Sequence, residues 1–218
     1  TDVPAPEHTR PIGPLRNGPQ VYVWTSPLGH DWFNGTCYTD LMNPSAIKCF
    51  LEEAYASYHR RYGQEYGNLI TAEFTDEPCT IFRSRLPEGA VPYTDHLAER
   101  FLEMHGYDPA DNLHLLFCKG PKAPLFRLQY FRTINNLFEN NFSRQLGQWC
   151  SEHHIDLSGH YMAEQSLYEQ QLWGVKIMPN YRHQGIPGID HLSRQIDERI
   201  TAKQCHSVVN QYGKKRML

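Results

Sequence analysis

The chain has 218 residues, 40% of them hydrophobic, and a formal net charge of -3. That length supports one substantial core, while the weak negative charge excludes a polyanion-binding surface, which needs clustered Lys and Arg. No apolar run approaches the roughly 20 residues that span a bilayer, so neither a nucleic acid nor a membrane is an expected partner.

Residues 1–19 carry Pro4, Pro6, Pro11, Pro14 and Pro19 and few large apolar side chains, and read as an extended lead-in to one domain over 20–218. It lacks the charged-then-apolar pattern of a secretory signal. The 6 cysteines form no C-x-x-C pair, which fits reduced buried thiols and predicts a cytoplasmic protein.

Gln20 to Thr25 is β-branched and aromatic and predicts a strand ending near Trp24. A polar loop with Trp32, Phe33 and Tyr38 follows. Asn43 before Pro44 sets an N-cap with proline at the first helical position, and Ile47, Phe50, Leu51, Ala54, Tyr55, Tyr58 and Tyr62 describe the apolar face of a helix. Leu69 to Phe74 has strand length and is bounded by Gly67 and Pro78. Strand, helix, strand implies a parallel pair. Alternation then places Ile70, Ala72 and Phe74 on a helix-covered face, and Thr71, Glu73, Thr75 and Glu77 on the other.

Thr94 is the expected cap of a short helix ended by Gly106, and residues 107–122 read as a loop. From Pro124, the positions Leu128, Phe131, Ile134, Phe138, Phe142, Leu146 and Trp149 predict a long amphipathic helix to about residue 154. Ile155 to Met162 reads as a strand with Asp156, Ser158 and His160 on one face. Ser166 caps a short helix, Pro187 to Asp190 reads as a brief strand, 193–212 as a helix, and Lys215 to Leu218 as the start of another strand. This alternation predicts an α/β fold of (β/α)8 TIM-barrel type, with an open doubly wound sheet as the alternative. The chain is shorter than the about 250 residues of a complete barrel.

Three predicted strand ends deliver ionisable groups: Asp76 with Glu77, His160 with Glu164, and Asp190 with His191. Parallel strands share one direction, so these groups converge at one edge. Two carboxyl groups at one edge, one protonated and one ionised, would suit general acid/base chemistry. Asp76, next to Glu77 on a strand, is expected to point the other way and to act as a structural acceptor. Glu164 is the in-chain candidate for Glu77's partner. His160, Glu164, Asp190 and His191 also make a possible site for a divalent metal such as calcium, although no cofactor is required.

Phe74-Thr75-Asp76-Glu77-Pro78 resembles the fourth-strand acid/base motif of (β/α)8 glycoside hydrolases. Together with Tyr38–Pro44, Ser158–Glu164 and Pro187–Leu192, it resembles large bacterial glycosidase-like proteins related to the family 106 α-L-rhamnosidases and to family 2. The resemblance covers about residues 20–218 and implies strands 3 to 7 of a barrel. It also implies Glu77 as general acid on an oligosaccharide's O-glycosidic bonds; Trp24, Asp76, His160, Asp190 and His191 are the expected sugar contacts. The second carboxylate of such barrels commonly follows the seventh strand, near Leu218. A carbohydrate-binding remnant without catalysis and a metal-dependent hydrolase are the alternative functions. An incomplete barrel would expose strand edges and favour self-association.

Overall fold

The computed structural model describes residues 6–12, 19–82, 86–191 and 199–218. Its contacts divide the chain into two compact units, Thr1–Asp40 with Phe82–Ile134 and Leu41–Ile81 with Asn135–Leu218.

In the first unit, β1 (Thr9–Ile12) and β2 (Val21–Trp24) form an antiparallel pair in which Thr9 faces Trp24 and Ile12 faces Val21. The expected parallel partner of β2 was the strand after the first helix. Instead, the proline-rich lead-in supplies the ladder, with Pro11 held opposite Tyr22 in a two-stranded sheet whose edges do not require its missing N–H. The aromatic loop winds a 3-10 turn over Asp31–Phe33, capped by the His30 ring, which accepts the Trp32 N–H at 3.2 Å. Phe33 and Tyr38 pack with His30 and Phe82, while Trp32 stays exposed.

The next helix, α3 (Leu97–His105), ends as predicted at Gly106, which takes a left-handed φ of 80°. Thr94 serves its start differently from a side-chain cap: its carbonyl accepts the Leu97 N–H, and its hydroxyl donates to Asp40 at 2.7 Å. A 3-10 helix, Ala110–Leu116, occupies the predicted loop. Leu97, Phe101, Phe126 and Tyr130 are buried here, and the Tyr130 hydroxyl donates to the Pro92 carbonyl at 2.6 Å.

The second unit opens with α1 (Pro44–Phe50), whose Asn43 cap accepts the Ser45 and Ala46 N–H groups. It runs through a π turn, Leu51–Tyr55, into α2 (Ala56–Tyr62). The long predicted helix has the same construction. It comprises α4 (Ala123–Phe138), which begins in the first unit, a π turn over Glu139–Ser143, and α5 (Arg144–Glu152). Such a turn inserts a residue into the helical ladder without ending it, so the apolar spacing is read correctly across both breaks.

Three parallel strands lie in sheet order β3 (Ala72–Thr75), β4 (Asp156–Gly159) and β5 (Ile186–Pro187). Between β4 and β5 come α6 (Leu167–Leu172), started by a Ser166 cap, and α7 (Ile177–Tyr181); α8 (Arg199–Gln211) follows β5. Residues 193–198 of the last predicted helix lie outside the described residues. Leu218 extends the ladder: its N–H donates to Pro187 O at 2.9 Å, and its carbonyl accepts from Ile189 at 3.1 Å. The architecture is mixed α/β with small sheets, one of them parallel.

Register corrects the predicted faces of β3. Glu73 aligns with the buried Leu157, and Phe74 with Ser158. Glu73 therefore points into the helix layer, where it accepts from the Tyr66 hydroxyl at 3.1 Å, and Phe74 lies on the face with His160, its ring 5.7 Å away. The polar alternation of Thr71, Glu73 and Thr75 suggested the reverse, because one carboxylate among small residues does not reveal that a tyrosine waits beneath it. Among the described residues, no helix is long and apolar enough to cross a membrane.

Candidate functional site

The site is built at the ends of the three parallel strands. β3 stops at Thr75, and two residues on Glu77 adopts φ 47°, a left-handed conformation that a residue with a side chain rarely takes. This breaks the strand's alternation. Asp76 and Glu77, expected on opposite faces, consequently approach one imidazole. Asp76 Oδ1 lies 3.1 Å from His160 Nε2, and one ligand atom each of Glu77, His160 and Asp190 lies within 4.8 Å of the others.

His160 reaches this point because β4 pairs so closely with β3. Its N–H donates to Thr75 O at 3.3 Å, and Gly159 just before it has φ 123° and meets the β3 backbone where a Cβ would lie 2.0 Å from Thr75 O. The imidazole is buried and Asp76 is largely exposed, whereas Glu77 and Asp190 are half-buried. Burial holds the Glu77 carboxyl above the ordinary carboxylate range. The Asp76 and Asp190 charges push the same way, and His160 opposes them.

Glu164 takes a position beneath the cluster. It is 1% exposed, and both its oxygens are engaged: Oε2 accepts from the Tyr181 hydroxyl at 2.7 Å, and Oε1 accepts the Asp190 N–H at 2.5 Å. Burial raises its pKa against the pull of these two donors. Ala163, immediately before it, is also left-handed at φ 63°. Non-glycine residues in this region cost free energy and gather at functional sites; here one is Glu77 of the cluster and the other adjoins Glu164 beneath it.

His191 is exposed beside Asp190. Trp24 closes β2 in the first unit, whereas the cluster is formed wholly by residues of the second. The sequence reading missed Tyr181. It sits in a five-residue helix with no catalytic motif, and its link to Glu164 exists only once α7 folds back on the β4 end. Deeper still, Ser143 in the π turn of the long helix donates to Asn180 Oδ1 at 2.7 Å and lies 3.0 Å from the Tyr161 hydroxyl.

A carboxylate–imidazole–carboxylate set of this kind can hold and deliver a proton, or hold a divalent cation. No protein-family model and no curated protein matches the chain. Among solved structures, a rhamnosidase from Novosphingobium sp. PP1Y is similar over 84% of this chain, with a TM-score of 0.63 and 18% identity. The chain spans only 17% of that protein's length. What the two share is therefore a mixed α/β fold.

Proposed function

We propose that the chain carries the acid/base part of a glycoside hydrolase site on a barrel-type framework, with Glu77 donating a proton to the leaving oxygen of an O-glycosidic bond. The observation that carries this reading is the placement of Glu77 at the end of a parallel strand, with its carboxyl favoured in the protonated form by burial and by two neighbouring carboxylates. A general acid needs that bias to work near neutral pH. Asp190 is the carboxylate from a different strand end that joins Glu77 in the cluster. With one oxygen of each carboxylate inside the same 4.8 Å cluster, Asp190 is placed to serve as the second carboxyl group that glycoside cleavage needs. His160 orients both carboxylates, Asp76 holds His160, and Glu164 acts from below. Similarity in fold to a rhamnosidase makes deoxyhexosides the first substrates to try.

The test is hydrolysis of aryl glycosides carrying leaving groups of different acidity. Glu77→Gln should abolish turnover of poor leaving groups and spare part of the turnover of dinitrophenyl glycosides, which need no proton. Equal activity of both proteins on poor leaving groups would overturn the assignment.

The same three ligand atoms favour a second reading, a metal-dependent hydrolase. One imidazole and two carboxylates suit zinc or manganese better than calcium, which prefers oxygen throughout. Under this reading, Glu77, His160 and Asp190 would hold an ion that polarises a substrate oxygen. Loss of hydrolysis on chelation, restored by one metal, selects it over the first.

A further inference from the structure

We propose that Tyr181 and Glu164 are positioning residues, a buried hydrogen-bonded chain from the Tyr181 hydroxyl through the Glu164 carboxylate to the Asp190 N–H that fixes the Asp190 carboxylate against Glu77 and His160. The inference deepens the function proposed above and depends on it only for the catalytic consequence.

The chain has few ways to relax. Glu164 is almost wholly buried, so its carboxylate needs donors to offset lost hydration, and the structure supplies two at 2.7 and 2.5 Å. One of those donors is the backbone of the residue whose side chain joins the cluster. A shift of Glu164 therefore moves the Asp190 main chain, and the carboxylate follows. Glu164 itself is pinned through its own carbonyl, which accepts from Gln170 Nε2 and from Thr201 Oγ1 of α8, each at 3.3 Å.

Tyr181 is held just as firmly. It is fully buried, with its ring packed against Tyr161 at 5.6 Å between centroids. The preceding Asn180 is tied to Lys176 O at 2.6 Å and to Ser143 at 2.7 Å. The hydroxyl thus meets Glu164 at a fixed point. Neither residue needs to touch substrate for its loss to be felt, since a displacement of about 1 Å at a reacting group is enough to cost about 10²-fold in rate.

Tyr181→Phe removes the hydroxyl and keeps the ring, and Glu164→Gln keeps the shape and removes the charge. The test measures amide hydrogen exchange by NMR on the 218-residue chain and both variants, together with kcat and KM on the best aryl glycoside. Expected in each variant is at least about tenfold faster exchange of the Asp190 amide, with the Asp156 amide, which donates to Thr71 O within the sheet, unchanged. The matching kinetic effect is a fall in kcat with KM within about twofold. Unchanged Asp190 exchange in Tyr181→Phe overturns the proposal, and so does faster exchange spread equally over the sheet, which marks a role in stability alone. Should the parent chain hydrolyse no glycoside while the Asp190 amide still loosens selectively, the positioning chain stands and the glycosidase reading falls.

Discussion

Asp76 and Glu77 are consecutive residues, yet both turn toward His160, Asp76 directly at 3.1 Å and Glu77 within the 4.8 Å cluster. A continued strand would have separated them by half a turn. The left-handed Glu77, held before Pro78, makes the shared approach possible.

The two carboxylates should therefore differ in weight but not in direction. Glu77→Gln is expected to lower turnover of poor-leaving-group glycosides by about 10²–10⁴, the usual contribution of a positioned acid. Asp76→Asn retains an oxygen facing His160 and should cost less than about tenfold. Steady-state kinetics on the two variants checks this, and a larger loss in Asp76→Asn would exchange their roles.

Ala163 stores strain without offering chemistry. A left-handed alanine costs about 1–2 kcal/mol relative to its favoured conformations, part of which glycine regains at the expense of greater unfolded-state freedom. Ala163→Gly should raise stability by about 0.5–1 kcal/mol in urea denaturation. A loss of stability would mean that the buried methyl packs for more than the backbone yields.

Acid sensitivity should come in part from the π turn of the long helix. Glu139 is buried; burial alone would raise its pKa, but the His183 ring at 3.0 Å and the Arg182 guanidinium together hold it below the ordinary value of 4.5. A depressed folded pKa adds stability above the unfolded value and loses it as pH falls through the folded one. Thermal melts between pH 6 and 3 should show the wild type losing its advantage over Glu139→Gln below about pH 4.5. At neutral pH the substitution should cost about 1–2 kcal/mol, less than a fully buried pair because Arg182 is partly exposed. Parallel melting curves at all pH values would remove Glu139 from this role.

Much of the second unit was legible because local signals agreed with one another. The Asn43 and Ser166 caps and the apolar spacing of the long helix fall where the residues place them, and each of the three short strand runs overlaps a strand of the sheet, the last by Pro187 alone. Asp76, Glu77, His160 and Asp190 were legible for a different reason: parallel strands must end at one edge, whatever fills the sequence between them. What escaped the sequence depended on pairing or on backbone sign. Nothing in Thr9–Ile12 announces that it will take β2 as partner, and alternation misassigned Glu73 until the Leu157 register fixed its face. The left-handed turn at Glu77 is equally silent, since glutamate before proline carries no preference for it. Tyr181 was hidden because a tertiary contact, not a motif, joins it to Glu164.

The close contact between β3 and β4 provides the most severe expected substitution. A Cβ on Gly159 would stand 2.0 Å from Thr75 O and 2.7 Å from Thr75 N, and its φ of 123° lies where other residues are strained. Backbone atoms of a paired strand cannot swing aside as a flexible side chain can, so Gly159→Ala must pry the ladder open next to the His160 N–H to Thr75 O bond. The expected loss exceeds about 4 kcal/mol, a size that few mechanisms reach. It should also separate His160 from Asp76, so any folded remainder loses activity more than its folded fraction explains. Gly120→Ala is the control: among the described residues nothing lies within 4 Å of its added Cβ, and its effect should stay within about 0.5 kcal/mol. Urea denaturation of the two variants side by side decides the matter, and equal midpoints would show that β3 and β4 are free to separate and that the cluster at their ends does not depend on their close approach.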